Sequence, residues 1–469
     1  MGYFMATSGG GGDSDITKWL AREYNLITTY NTGDYCVYDS TLYKCIKSTS
    51  GDFDSECWEL AYLMDKLSKS TPATGSYFGF MKIKSISNSS VRIMYEGDCA
   101  DYTSAYMDYE AGEFNYGDWE NAFFMPKPVL LAQDGTVFCY LDPNDYTLDV
   151  DGNSVSAYLS GSSGTYNAMM QWPKIYVSRT QDDYFEHTRI ASYKIDETYH
   201  CYSNIDANGN EIDYFYTPIY NGSVVSSTLR SISGQTPMNT QTGTTEITYA
   251  TANNQTSTNE WYIEQWCDRA LINDLLVLIG KSTDTQTIFG NGHYTGGSSA
   301  SSLLSTGTMN TKGLFWGTNG TGSGVKVFGM ENYWGNQWRR TAGLMTSGVA
   351  IYAKMTWDTT DSTGITGYPT TSVSGMMSLG KSASGTSGGY ISSTYNSEFG
   401  CVPYVSSGSS STYEADGLWF NSSVVGYASV GGSCYNGLLC GAFALDLSNA
   451  VSDSSWNFGA SLSCKPLAS

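Results

Sequence analysis

The pattern of apolar and polar positions predicts a long β-rich region interrupted by one strong helix. From Ser76 to about Ile219, short runs of alternating apolar and polar residues are separated by turn residues, which is typical of antiparallel strands. In VLLAQDGTVFCY, residues 129–140, two extended runs flank Asp134-Gly135, a dipeptide typical of tight hairpin turns. We therefore predict an α+β fold that is predominantly β.

The segment STNEWYIEQWCDRALINDLLVLIGKS, residues 257–282, has helical periodicity. Ser257 and Glu260 have the spacing of a capping box, and apolar residues from Ile263 to Ile279 recur at helical intervals. Because further apolar residues occupy the other side near the C-terminal end, we predict a helix packed inside a domain, where it serves as scaffold.

Residues 16–70 have the pattern of a small all-β module, preceded by a Gly- and Ser-rich lead-in at 1–15. Two short alternating runs predict small antiparallel strands, and a short helix follows from Glu56. The aromatic spacing resembles the small carbohydrate-binding modules of chitinases. Two interpretations stay open: the aromatics bind sugar, or they form the module's own core, because so short a chain has little else to bury. The aromatics in question are Tyr38, Tyr43 and Trp58.

Charge excludes two classes of partner. The 24 basic and 45 acidic side chains give a net charge of −21, which repels phosphate backbones and anionic lipid surfaces. We therefore expect no nucleic acid partner and no membrane insertion, since the longest apolar run, Leu275 to Gly280, is far too short to span a bilayer. Met1 to Gly12 shows no secretory signal, so we expect synthesis in a cytoplasm with reduced thiols.

Patterns for catalysis and metal binding are weak. The eleven cysteines are odd in number and show no C-x-x-C spacing, which argues against a zinc ribbon and against a disulfide framework. The three histidines lie far apart, outside any catalytic motif. DANGNEID, residues 206–213, looks like part of a calcium loop, but Thr217 stands where the closing Glu belongs, so we interpret it as a turn. We expect no enzyme, no metal and no cofactor.

Two C-terminal segments resemble a known fold. VFGMENYWGNQWRR, residues 327–340, and YASVGGSCYNGLLCGAFALDLSNAVSDSSWNFGASLSC, residues 427–464, resemble the C-type-lectin fold. The likeness is to the branch shared by formylglycine-generating enzymes and the variable proteins of diversity-generating retroelements. The matching positions are Gly329, Gly335, Asn336, Trp338, Gly431, Gly432, Ser433, Ser455 and Gly459. Upstream stretches at 125–146 and 209–223 resemble gut-bacteriophage tail proteins of the same group.

The resemblance implies a domain order and a function. It implies a β-rich region at 75–150 and a C-type-lectin-like domain at 151–469, whose segment 427–464 is variable. The implied function is a phage tail-tip adhesin, assembled in the host cytoplasm and carried in the virion as a homotrimer with other tail proteins. Its partner would be a bacterial surface receptor, protein or glycan.

Binding would rest on the variable segment. Adenine-directed mutagenesis of Asn codons yields a residue set to which every residue from Cys434 to Cys440 belongs. The candidate receptor-binding residues are Tyr427, Ser429, Cys434, Tyr435, Asn436, Leu438, Leu439 and Cys440. The tryptophans expected to form the core beneath them are Trp334, Trp338, Trp419 and Trp456.

Two alternatives stay open. Formylglycine-generating enzymes hold copper through two cysteines after the same GGS, and Cys434 and Cys440 lie close to that place, although one residue further apart. Cys434 also replaces the usual tryptophan, and GAFALDL replaces the usual arginines, so a disulfide between the two thiols is the stronger expectation. The other alternative is a structural tail protein without receptor contact.

Overall fold

The computed structural model describes residues 24–32, 34–38, 41–60, 72–255, 259–357 and 367–467. The chain divides into two compact units, Met1–Thr71 and Pro72–Ser469. Within the described ranges strands far outweigh helices, so the prediction of a predominantly β fold is confirmed.

The first unit contains a three-stranded antiparallel sheet. Its strands, in sheet order, are β1 (Tyr35–Tyr38), β2 (Thr41–Cys45) and β3 (Trp58–Leu60). Trp58 is buried together with Tyr30 and three cysteines. Tyr43 is half-buried, whereas Tyr38 is exposed and stacks on Phe53 with ring centroids 4.0 Å apart. Trp58 is therefore core, and the Tyr38 ring remains open to solvent.

The first residues of the helix predicted from Glu56 are not helical in the structure. Glu56 lies in a short 3₁₀ turn, Ser55–Cys57, and the next three residues form β3, because they pair with β2. Residues 61–70 of that predicted helix lie outside the described residues.

The second unit contains the remaining strands and helices. The strands before residue 264 are β4 (Phe78–Ile83), β5 (Ile93–Gly97), β6 (Tyr106–Asp108), β7 (Glu113–Asn115), β8 (Lys127–Leu131), β9 (Val137–Tyr140), β10 (Asn167–Pro173), β11 (Tyr176–Gln181), β12 (Phe185–Ala191), β13 (Tyr199–His200), β14 (Tyr214–Pro218), β15 (Ser223–Val225), β16 (Thr228–Arg230) and β17 (Asn259–Ile263). The later strands are β18 (Lys326–Val327), β19 (Met330–Glu331), β20 (Trp338–Ser347), β21 (Ala350–Ala353), β22 (Met377–Ser382), β23 (Ser384–Gly385), β24 (Gly389–Ser397), β25 (Gly400–Ser406), β26 (Gly417–Phe420), β27 (Tyr427–Val430), β28 (Leu445–Leu447), β29 (Phe458–Gly459) and β30 (Leu462–Pro466). The α-helices are α1 (Ser156–Leu159), α2 (Gly243–Thr251), α3 (Trp266–Gly280) and α4 (Thr285–Phe289).

Three large sheets organise this unit. One has the order β17-β30-β14-β10-β8-β9, and a second has the order β13-β11-β12-β4-β5. The largest follows the order β22-β21-β20-β27-β28-β26-β24-β25-β23, with β29 paired in parallel to β20. Short two-stranded ribbons, β6-β7, β15-β16 and β18-β19, complete the described pairing. The candidate receptor-binding segment therefore begins in the interior of the largest sheet.

Strand pairing joins the two parts that the resemblance separated at residue 150. The predicted hairpin at 129–140 is confirmed as β8 and β9, with Gly135 at φ +83° in the turn. β8 pairs with β10, and the same sheet continues to β30 near the C-terminus. Residues 75–150 and 151–469 thus share sheets within one compact unit.

The predicted helix begins later than the sequence pattern indicated. Residues 259–263 form β17, which pairs with β30, and α3 starts only at Trp266. Glu260 therefore lies in a strand rather than a capping box, and Ser257 is outside the described residues. Trp261 and its two successors favour strands, and the partner strand β30 decides the outcome. Every residue of α3 is buried, which confirms its position inside the domain.

The charged residues of α3 are paired inside the core. Asp274 Oδ2 lies 2.7 Å from Arg179 Nε on β11, and Asp268 Oδ1 lies 3.5 Å from Lys465 Nζ on β30. Apolar residues around α3 belong to one core that includes residues of strands from β4 to β28. The helix thus ties the sheets together, and the C-terminal loops rest on a fixed base.

Candidate contact surface

The candidate loop leaves the largest sheet through a pair of glycines. β27 lies between β20 and β28, and Gly431 and Gly432 follow with φ of +88° and +80°. A Cβ on Gly432 would lie 2.6 Å from Cys440 Sγ, closer than any side chain tolerates. Glycine is therefore required both for the left-handed backbone and for the close return of the chain at Cys440.

Hydrogen bonds close residues 433–440, called the contact loop below, into a compact turn. Asn436 Oδ1 accepts hydrogen bonds from Ser433 N at 2.8 Å and from Ser433 Oγ at 2.7 Å. Cys440 Sγ donates to Ser433 O at 3.2 Å, and residues Gly437–Leu439 form one 3₁₀ turn. These polar groups hold the loop in shape, so its conformation does not depend on contacts between its apolar side chains.

The family-like motif Gly335-Asn336 anchors the loop from below. Asn336 O accepts from Cys434 N at 3.2 Å, and the Asn336 side chain exchanges two hydrogen bonds with the backbone of Leu304. Gly335 N donates to Gly431 O at 3.0 Å. Gly335 and Asn336 are buried, and their hydrogen bonds join the contact loop to the end of β27 and to the loop that contains Leu304.

The structure corrects the expectation that all eight candidate residues face outward. Tyr435 and Leu438 are 67% and 42% exposed, and Asn436 and Leu439 are half-buried. The four buried candidates are Tyr427, Ser429, Cys434 and Cys440. Tyr427 packs into the core cluster that also contains Tyr262 and Leu462, and Ser429 is buried two residues further along the same strand. The two cysteines are buried where hydrogen bonds fasten the loop.

The four tryptophans expected beneath the loop divide into two pairs. Trp334 and Trp338 are buried, as predicted. Trp419 and Trp456 are only half-buried. Trp456 lies edge-on to Tyr435 with ring centroids 6.5 Å apart, so it belongs to the surface around the loop.

Three further segments adjoin the contact loop and a fourth adjoins one of those three; none of the four was predicted as part of the site from the sequence. Gly296 N donates to Cys434 O, and Gly437 N donates to Tyr294 O, which joins residues 293–302 to the loop. Asn457 Nδ2 donates to Ser433 Oγ and joins residues 454–457. A Cβ on Gly417 would lie 3.0 Å from Leu439 Cβ, so β26 also adjoins the loop.

The fourth segment, residues 386–390, adjoins β26. Gly388 N donates to Leu418 O at 2.8 Å, and Ser387 Oγ donates to Phe420 O at 2.9 Å. The contact loop and the segments 293–302, 386–390, 417–420 and 454–457 are called the contact surface below. Long Gly- and Ser-rich loops, such as TGGSSASSLLSTGT, were the available sequence signal, because loops of that length are commonly functional.

The two loop cysteines are buried thiols. All eleven cysteines, each within the described ranges, are thiols rather than disulfides, so the expected link between Cys434 and Cys440 is not formed. Burial raises the pKa of the Cys440 thiol well above its usual range, and the nearby Asp416 carboxylate adds to this effect. Burial likewise raises the pKa of Cys434. Copper(I) binds thiolates, and these surroundings favour the protonated form.

The calcium-like stretch at residues 206–213 forms a turn. Asp206 Oδ1 accepts hydrogen bonds from Asn208 N and Asn210 N, which closes the calcium-like stretch on itself. Across the described ranges, no three His, Cys, Asp or Glu side chains lie where they could jointly hold a metal ion. In the same ranges, none of the helices has the length and apolar character needed to cross a membrane.

Comparison with known proteins assigns no role to this surface. Neither the models of known protein families nor the curated protein sequences give a match to this chain.

Proposed function

We propose that this chain is a receptor-binding protein of a phage tail, and that it adheres to the bacterial host through the contact surface. The observation that carries the proposal is the outward placement of Tyr435 and Leu438 on a loop that is hydrogen-bonded at both ends. Large side chains held on a rigid base lose little conformational entropy when a partner covers them, which favours binding.

The sequence resemblance supports the same function. The motif residues Gly335, Asn336 and Trp338 and the Gly431-Gly432 turn lie directly beneath the contact loop. In the variable proteins that the sequence resembles, this part of the chain is the one that varies. The buried residues below it would keep the fold constant while the exposed ones change.

A homotrimer within the tail completes the proposal. Two exposed apolar side chains make a small anchor, and a small anchor gives modest affinity for each copy. Three copies on one tail tip would add avidity without new contacts. The protein would then act by binding alone, with no catalytic step.

The test is adhesion of the full chain to a panel of bacterial isolates, with the double variant Tyr435→Ser/Leu438→Ser beside the wild type. We expect adhesion to fall at least tenfold, since central apolar anchors contribute about 2 kcal/mol or more each. A matched control replaces Tyr184 and Val91, a tyrosine and an aliphatic residue that are 72% and 57% exposed elsewhere on this unit, with serine.

The control variant should adhere like the wild type. Equal loss in both double variants would mean that general surface apolarity drives adhesion, which contradicts a specific site. If the Tyr435→Ser/Leu438→Ser variant adheres normally, the receptor site lies elsewhere, and the exposed Tyr38 of the first unit is the next candidate. Failure of the wild type to adhere to any isolate would overturn the proposal.

A further inference from the structure

We propose that the contact surface binds an uncharged polysaccharide; this rests on the proposed adhesin function and names the chemistry of its receptor. The decisive feature is the lack of charged side chains on this surface, in a chain whose net charge is −21. Hydroxyl groups and aromatic rings take their place.

The five segments of the contact surface contain no Asp, Glu, Lys or Arg, although these residues make up 15% of the chain. Their one ionisable imidazole, His293, is buried and directs Nε2 at Ser302 O, 2.8 Å away. Of the two carboxylates nearest in sequence, Asp416 is buried and accepts from Phe443 N, whereas Asp453, which borders segment 454–457, is exposed and accepts from Ala450 N.

A charge-free surface disfavours charged partners. About a quarter of the residues on ordinary proteins are charged, and covering such a side chain without a counter-charge leaves it desolvated and unpaired. An anionic polymer would in addition meet the repulsive field of the whole chain. Neither penalty applies to a neutral sugar.

The side chains present are those that a sugar can use. The exposed hydroxyl residues of the surface are Thr295, Ser298, Ser299, Ser301, Thr386, Ser387 and Ser454. A hydroxyl both donates and accepts, so it pairs with sugar hydroxyls in either sense. Tyr435, set edge-on to Trp456, offers an apolar ring face for the C–H face of a pyranose together with a polar edge. The surface therefore offers both polar and apolar groups, as a sugar ring does.

The experiment uses an isolate to which the full chain adheres, and the probe is that isolate's own deproteinised surface polysaccharide. The purified polysaccharide should compete with adhesion, and the same material after periodate cleavage of its vicinal diols should not. Adhesion should survive protease treatment of the cells and change less than twofold between 50 and 500 mM salt, since no ion pair is screened.

Two variants separate ring stacking from general apolar contact. Tyr435→Phe, which keeps the ring, should adhere within about threefold of wild type, whereas Tyr435→Leu, which keeps apolar area without a ring, should lose at least tenfold. Melting temperatures of both variants, measured in parallel, exclude unfolding as the cause.

The outcomes distinguish this inference from the proposed function. If adhesion depends on Tyr435 and Leu438 but is abolished by protease and untouched by periodate, the receptor is a protein and the polysaccharide inference fails alone. A steep loss of adhesion with salt, or competition only by anionic polysaccharide, would equally overturn it. If no isolate is bound, or if the loop variants bind normally, both proposals fall.

Discussion

Helix α3 and the contact loop both differ from what their location would suggest. The helix is buried but contains charged residues, and the loop lies at the surface but contains none. α3 is buried throughout yet contains Asp268, Arg269 and Asp274, whereas the contact loop lies at the surface and contains no charge. The helix can bury its charges because each has a partner, such as Arg179 at 2.7 Å from Asp274. The loop can expose Tyr435 and Leu438 because hydrogen bonds within the loop and to neighbouring segments hold its backbone. The residues that stabilise the fold and the residues proposed to bind a receptor therefore lie in different parts of the unit.

The largest effect on stability is expected from truncating a buried side chain of α3. Trp266 is 2% exposed, and its Nε1 donates to Phe399 O at 2.7 Å. Trp266→Ala should lower the free energy of unfolding by about 3–5 kcal/mol, since it leaves a cavity and an unpaired carbonyl. Chemical denaturation measures the loss. A variant that kept its stability but lost adhesion would show that α3 belongs to the binding site instead.

The scaffold should also respond to pH, because it contains buried carboxylates and the loop contains none. Burial raises the pKa of Glu246 on α2 to about 7, although Arg340 Nη1 lies 2.7 Å away. The folded-state pKa exceeds the unfolded value, so the folded form binds this proton more tightly. The stabilisation is full below about pH 4.5 and is lost as the pH rises through 7, by about 3 kcal/mol.

Denaturation curves at pH 5 and pH 8 measure this slope, and Glu246→Gln should flatten it whatever its effect on the absolute stability. Glu260, whose pKa burial raises to about 8, should leave a residual slope of the same sign. Equal slopes in wild type and Glu246→Gln would contradict the assignment. Adhesion through a charge-free surface should change little between the same two pH values, provided the protein stays folded.

Two glycines of this region, Gly432 and Gly437, test whether packing at Cys440 fixes the loop. Gly432→Ala places a Cβ against Cys440 Sγ and should cost about 1–3 kcal/mol and displace the loop. Gly437→Ala is the matched control, because Gly437 also has positive φ, at +60°, but its Cβ would meet nothing within 4 Å. The control should cost about 1 kcal/mol from backbone strain alone. If both cost the same, packing at Cys440 is not what fixes the loop.

The smallest effect is expected at the loop's outward side chains. Tyr435→Ser/Leu438→Ser should change the free energy of unfolding by no more than about 0.5 kcal/mol per site, since neither side chain supports the core. Adding Leu439→Ser should cost more, because Leu439 adjoins Gly417 on β26. Thermal melting of the double and triple variants tests this order. Unfolding of the double variant would show that these side chains belong to a core strand.

The sequence by itself determined the local features of this protein. Alternating residues around Asp134-Gly135 specified the β8–β9 hairpin, and an apolar segment with few polar positions specified the buried helix α3, because both depend on neighbours within a few residues. Local composition also marked residues 434–440 as a candidate contact loop, but it did not separate the exposed Tyr435 and Leu438 from the buried Cys434 and Cys440.

Only the tertiary structure decided what distant segments do to one another. Pairing with β30 makes residues 259–263 a strand rather than the predicted helix, and packing against distant segments buries Tyr427 and Ser429. Residues 293–302 and 386–390 joined the contact surface through hydrogen bonds to partners far away in sequence. Strand pairing and burial depend on which segments meet in space, and periodicity along the chain does not contain that information.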